Sequence, residues 1–234
     1  MIPSLSQVAL FASLLLLSVC STAGADLLVD NTGDGQVVVL AFGDSITAGV
    51  GDGTFPGDYV EIAPSSPMLP GYPGRLTELL GVPVIDSGVP GEVLSDGGVY
   101  RFASSVISNE ADVVVFLEGT NDAVFQISPS ELKTDLHKIA NIATVLERSL
   151  VFQTIPRTCC NHTGSLLFTT TYSSQIRQVA ALHGLPIVDL ESEWKKECPL
   201  ETSCSLLNAP EGLHPNSAGY DFMAELVEDT LLNY

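Results

Sequence analysis

Positive charge is what this chain has least of. Nine Lys plus Arg stand against 28 Asp plus Glu in 234 residues, a formal net charge of −19. Residues 1–25 carry none of these side chains, so the remainder is strongly acidic. A surface of that sign repels nucleic acid and anionic membranes and favours solubility, which excludes nucleic-acid binding as a function. Long apolar runs are scarce too: the stretch over residues 8–19 is too short for a comfortable membrane span. No internal repeat, low-complexity tract or second domain boundary is visible. What is there is a chain 45% hydrophobic and only 16% charged, as expected of one globular domain with a full core.

The apolar stretch is followed by Ser21-Thr22-Ala23-Gly24-Ala25, the small-residue pattern of an export signal cleaved after Ala25. Residues 1–25 are therefore expected to be a signal peptide and residues 26–234 a single domain, secreted or periplasmic. No Lys or Arg precedes the apolar stretch, which leaves the amino terminus to supply the positive charge. Leu17-Ser18-Val19-Cys20 offers a second reading, processing as a lipoprotein with a lipid anchor on Cys20. Either way Cys159, Cys160, Cys198 and Cys204 remain, an even set that reads as disulfides in an exported protein. These cysteines with His162 lack structural-zinc spacing, and neither a metal nor another cofactor is expected. Asn161-His162-Thr163 matches an N-glycosylation acceptor.

Apolar runs over residues 37–42, 82–85, 112–117, 150–155 and 186–190 read as five strands. Between them, helical spacing is expected around Leu76, Leu79 and Leu80, over 99–107, over 129–148 after Ser128, and over 166–183 before Gly184. A last helix is expected over 217–232. Strands that are apolar throughout and alternate with helices imply a parallel sheet covered on both faces, an α/β three-layer α/β/α sandwich. Residues 49–74, rich in Gly and Pro but carrying Phe55, Tyr59, Met68 and Tyr72, read as a lid or pocket wall.

In such sheets ligands bind beyond the carboxyl ends of the strands. Gly43-Asp44-Ser45-Ile46-Thr47 follows the first strand, Asp86-Ser87-Gly88-Val89-Pro90-Gly91 the second, and Glu118-Gly119-Thr120-Asn121-Asp122 the third. Near the other end, Glu211-Gly212-Leu213-His214-Pro215 precedes the last helix. Of the four histidines, His214 alone lies in a turn bounded by Gly and Pro, where Pro215 favours an extended backbone. Acyl transfer needs a nucleophile, a base, a group that orients the base and donors for the oxyanion, and the chain offers one of each.

These four blocks, in order, resemble the SGNH hydrolases, also called GDSL esterases and lipases, over nearly the whole mature chain. Gly43-Asp44-Ser45 matches the nucleophile block and Gly88 the second block. Gly119-Thr120-Asn121-Asp122 matches the Gly-x-Asn-Asp block, and His214 with Pro215-Asn216-Ser217-Ala218-Gly219 the histidine block. The resemblance implies a five-stranded parallel sheet in flavodoxin-like order, Ser45 as nucleophile and His214 as base. It also implies an oxyanion hole from the Ser45 and Gly88 N–H groups and the Asn121 side chain. One departure is Glu211, three residues before His214, where the family usually has Asp.

The expected function is a secreted serine esterase hydrolysing a small-molecule or lipid ester through Ser45, His214 and Glu211. Carbohydrate deacetylation and a non-catalytic binding module on the same fold are the alternatives. The resemblance also makes the fourth and fifth strands neighbours. Adjacent cysteines have Cα atoms ~3.8 Å apart, shorter than the usual disulfide range. Two cross-loop disulfides are therefore expected, each joining Cys159 or Cys160 to Cys198 or Cys204 and bracing the His214 loop.

Overall fold

A computed structural model of the chain describes residues 26–52 and 71–234. Residues 1–25, with Cys20, and residues 53–70 of the expected lid lie outside this set. The elements run β1 (Val39–Gly43), α1 (Gly71–Leu80), β2 (Val84–Gly88), α2 (Val99–Ser108), β3 (Val113–Leu117), α3 (Thr120–Val124) and α4 (Pro129–Val145). They continue with β4 (Ser149–Gln153), α5 (Leu166–His183), β5 (Ile187–Val188), α6 (Leu190–Glu197) and α7 (Ser217–Asn233). The five strands form one parallel sheet in the order β2-β1-β3-β4-β5.

Why the strands read as unbroken apolar runs is visible in the layers. Alternate residues of a strand point to opposite faces, and both faces here are covered. Val39, Ala41, Val113, Val115 and Val151 pack with Tyr72 and Leu76 of α1, Trp194 of α6 and Tyr220, Met223 and Val227 of α7. Leu40, Phe42, Val114, Phe116 and Phe152 pack with Phe102 of α2, Leu132, Leu136 and Ile139 of α4 and Tyr172 and Ile176 of α5. On this second face Phe116 stacks on Phe42 at 5.5 Å and meets Phe102 and Phe152 edge-on at 5.9 and 5.4 Å.

Several expected boundaries are corrected. The fifth strand is only two residues long, because Asp189 caps a helix that starts at Leu190 and accepts a hydrogen bond from the Ser192 N–H (3.2 Å). That helix, α6, shows weak apolar periodicity: its buried apolar side chains are Leu190 and Trp194, one turn apart. Tyr72 belongs to α1, not to the irregular segment before it. The polar turn after β3 opens a short helix at Thr120, reached through Gly119 at a φ of 111° that glycine accommodates.

The cysteine pairing is corrected as well. Cys159 bonds to Cys160, and Cys198 bonds to Cys204, whose Cα atoms are brought to 5.0 Å by the turn after α6. The two loops are neighbours, as expected, but hydrogen bonds join them: Cys160 N–H and the Thr163 hydroxyl both donate to the Glu201 carbonyl, at 3.2 and 3.3 Å.

Among the described residues no helix is long and apolar enough to cross a membrane, and no group of three or more His, Cys, Asp or Glu is arranged to hold a metal ion.

Candidate active site

The turn after β1 is built around its own aspartate. Asp44 is fully buried, and one carboxylate oxygen accepts the Ile46 N–H (2.9 Å). Ala48 N–H donates to the Asp44 carbonyl and Val50 N–H to that of Ser45, both at 3.0 Å, which closes the turn on both sides of the serine. Burial pushes the Asp44 carboxyl up to about 6. Ser45 is left 8% exposed at the carboxyl edge of the sheet, and its Oγ lies 2.9 Å from His214 Nε2.

His214 is held from behind. Its Nδ1 meets one oxygen of Glu211, and its main-chain N–H donates to the other oxygen at 3.0 Å. A carboxylate there only accepts, so the ring proton sits on Nδ1 and Nε2 is free to take the proton of Ser45. Burial alone would raise the Glu211 carboxyl, but the hydrogen bonds from His214 outweigh it and hold the group below its ordinary range. Gly212, which follows Glu211, has a φ of 78°, with no room for a side chain against Cys159.

Two further residues hold this loop. Asn208 uses its side-chain amide to donate to the carbonyls of Pro215 (2.8 Å) and Gly51 (3.1 Å), and its N–H bonds to the His214 carbonyl (3.0 Å). The histidine loop is thereby tied to the segment that follows Ser45. His162 donates through Nδ1 to the Glu211 carbonyl (2.7 Å), while Cys159 N–H bonds to the Gly212 carbonyl (2.9 Å) and Asn161 N–H to that of Pro210 (3.2 Å). The bracing expected from cross-loop disulfides is thus supplied by hydrogen bonds from residues 159–162. No local signal in the sequence marks Asn208; His162 stood out only as a member of the cysteine loop.

The donors lie across the strand ends. Asn121, 9% exposed, donates one amide hydrogen to the Glu92 carbonyl (2.8 Å), which leaves the second for another acceptor. Gly88 departs from its expected role: its N–H donates to the Asp86 carboxylate (2.8 Å), and its missing side chain is required by close packing on Ala48. Gly91, three residues on, has a φ of 81° and open space around it, and its N–H has no acceptor among the described residues. It precedes Glu92, whose carbonyl holds Asn121.

A model of the GDSL-like lipase/acylhydrolase family matches residues 41–222. Among solved structures, a lipase/acylhydrolase from Enterococcus faecalis is 24% identical with a TM-score of 0.64, covering 82% of this chain and 94% of that one. A lipolytic protein of the G-D-S-L family from Desulfitobacterium hafniense is 18% identical with a TM-score of 0.67, covering 84% of this chain and 100% of that one. A variant of Axe2, an acetyl xylan esterase from Geobacillus stearothermophilus, is 20% identical with a TM-score of 0.65, covering 83% of this chain and 94% of that one. No curated protein sequence matches the chain.

Proposed function

The chain belongs to the GDSL-like lipase/acylhydrolase family of carboxylic ester hydrolases, and from that premise we propose that Ser45, His214 and Glu211 hydrolyse esters through an acyl-enzyme. The observation that carries the reading is the continuous hydrogen-bonded chain from Ser45 Oγ through both His214 ring nitrogens to Glu211. As Ser45 Oγ attacks the ester carbonyl, its proton passes to His214 Nε2, and the imidazolium forms beside an ionised carboxylate that stabilises it. The tetrahedral intermediate collapses, its C–O bond to the alcohol breaks, and His214 returns the proton to the leaving oxygen. Water then gives a proton to His214 and attacks the acyl carbon, releasing the acid and restoring Ser45.

In this reading the oxyanion is met by the second amide hydrogen of Asn121 and the N–H of Ser45. The third donor is Gly91, since the Gly88 N–H is already engaged by Asp86. A non-catalytic binding role would have Glu211 misplace His214; two contacts between them argue against it.

The substrate is a lipid, aryl or other small ester, with an acetylated carbohydrate as the alternative. The same reading includes export with cleavage of residues 1–25, and a lipid on Cys20 is the alternative. The test is hydrolysis of p-nitrophenyl esters of rising chain length and of acetylated xylan, beside Ser45→Ala. A fluorophosphonate should label the wild type and not Ser45→Ala, and persistent labelling or hydrolysis in the variant would overturn the assignment. Amino-terminal sequencing of the exported protein should begin at Asp26.

A further inference from the structure

A half-buried ionic cluster is linked to the oxyanion donors through the Glu92 carbonyl and is used by none of the steps above. At its centre is Arg101, near the start of α2, whose guanidinium lies 3.7 Å over the Phe42 ring. Its Nε donates to both carboxylate oxygens of Glu92, at 2.8 and 2.7 Å. One terminal nitrogen donates to Ser87 Oγ and the other to the carbonyl of Gly43, each at 2.9 Å. The second nitrogen also pairs with Glu92 at 2.5 Å and stands 3.8 Å from Glu118, which is fully buried at the end of β3.

The partners matter more than their number. Gly43 is the last residue of β1, two before Ser45; Ser87 is at the end of β2; and the Glu92 carbonyl is what holds the Asn121 amide (2.8 Å). One planar fork of donors therefore fixes two strand ends and the Glu92 loop relative to one another. A lysine ammonium cannot reproduce that geometry.

We propose that Arg101 is a positioning residue for ester hydrolysis: by fixing Glu92 it sets the Glu92 carbonyl, and with it the aim of the Asn121 amide and the neighbouring Gly91 N–H. Asn121 has two amide hydrogens, and anchoring one directs the other. If the Glu92 carbonyl shifts, the amide turns with it, and a displacement of the order of 1 Å at a reacting centre costs ~10²-fold in rate. Arg101 touches no substrate in this account and acts through Asn121.

The inference rests on the assignment of Ser45 and Asn121 given above, and the experiment separates the two. Initial rates on a p-nitrophenyl ester would be measured for Arg101→Gln, Arg101→Lys, Asn121→Ala, Ser45→Ala and the Arg101→Gln/Asn121→Ala double variant, with folding checked by thermal unfolding. Arg101→Gln and Arg101→Lys should lower kcat by ~10-fold or more while KM changes by no more than about threefold. In the Asn121→Ala background Arg101→Gln should cost little further, because residues that act through one another are not additive.

Normal kcat in Arg101→Gln, or a loss that adds in full to that of Asn121→Ala, would overturn the inference and leave the ester-hydrolase reading standing. Undiminished hydrolysis in Ser45→Ala and Asn121→Ala would instead remove the reading on which it rests, and the inference with it. Should Arg101→Gln fail to fold, Glu92→Gln replaces it in the same cycle. That variant keeps the main-chain carbonyl and a side-chain acceptor but weakens the hold on Arg101, and the same non-additivity with Asn121→Ala is expected.

Discussion

Glu211 grips His214 at two points, with one carboxylate oxygen on the ring Nδ1 and the other on the main-chain N–H at 3.0 Å. The ring's rotation and the loop's path are thus fixed by one side chain. Glu211→Gln would keep an acceptor for one of these contacts but remove the charge that stabilises the imidazolium. It is expected to lower kcat by well over ~10-fold, the direction set by losing the orienting acid of a triad, with a near-normal melting temperature. Glu211→Asp is the sharper variant. An aspartate, one methylene shorter, could not reach both contacts from the same backbone, so the shorter acid should also lose activity; a gain in kcat would refute that account.

The two glycines after β2 should respond in opposite ways. A Cβ on Gly88 would fall 2.7 Å from the Ala48 Cα, so Gly88→Ala should destabilise the fold by about 1–3 kcal/mol through overpacking. Gly91→Ala meets open space and should cost roughly 1–2 kcal/mol for its left-handed backbone. Its main effect should be on kcat, through displacement of an oxyanion donor. Comparing melting temperature with kcat for the two variants decides which glycine serves the reaction.

How much of this was legible in the sequence follows from how local each cause is. The first four strands were readable as apolar runs, most plainly β1 and β3, which are buried on both faces, whereas the sheet order came from the family resemblance and not from any pattern in the chain. Ser45 and Asn121 stood out because they follow β1 and β3 directly, and His214 because Gly212 and Pro215 bound its turn, although the residues that hold that turn come from elsewhere in the chain. That the Gly91 N–H and not that of Gly88 is left without an acceptor among the described residues was hidden within one short motif, since it depends on where the Asp86 side chain turns. Arg101, Asn208 and His162 were missed for a different reason. Their partners, Gly43, Gly51 and Glu211, are far away in the chain, and a lone Arg, Asn or His carries no spacing signal. The cysteine pairing was misjudged because a bond between adjacent cysteines was excluded on their short Cα separation; the structure pairs Cys159 with Cys160, which leaves Cys198 to close on Cys204.

The observed pairing makes its own prediction. A non-reducing peptide map should recover Cys198 linked to Cys204. Replacing both by serine should cost about 2 kcal/mol, the chain-entropy value for a loop this short, read as a lower midpoint in urea. Activity at low denaturant should survive, because Glu211 and Gly212 are held by hydrogen bonds from Cys159 and His162 and not by this bridge. Loss of kcat in the folded double variant would mean that the turn after α6 contributes to the site.

The buried carboxyls set the pH dependence of stability, and Glu118 is the clearest case. Burial, with Asp44 and Glu92 nearby, raises its pKa well above the ordinary 4.5, and the Arg101 guanidinium only partly opposes this. Asp44, Asp86 and Asp122 are shifted the same way by burial, each to about 6. A carboxyl raised in this manner keeps its proton in the folded protein at a pH where the unfolded chain has lost it. Above the unfolded value, folding therefore takes up a proton, and each further rise in pH favours the unfolded chain until the folded value is passed. Stability should accordingly fall as pH rises from about 4.5 towards 6 through the three aspartates, and continue to fall above that through Glu118. Glu118→Gln replaces the protonated acid with a neutral side chain of nearly the same shape and removes its share of the slope, leaving the other groups in place. The melting temperature of Glu118→Gln should exceed that of the wild type at about pH 8, and the difference should shrink as pH falls to about 3.5, below the ordinary value of 4.5, where wild-type Glu118 is protonated in the folded protein and largely so in the unfolded chain. A difference that stays constant across that range would show that Glu118 does not hold its proton in the folded protein.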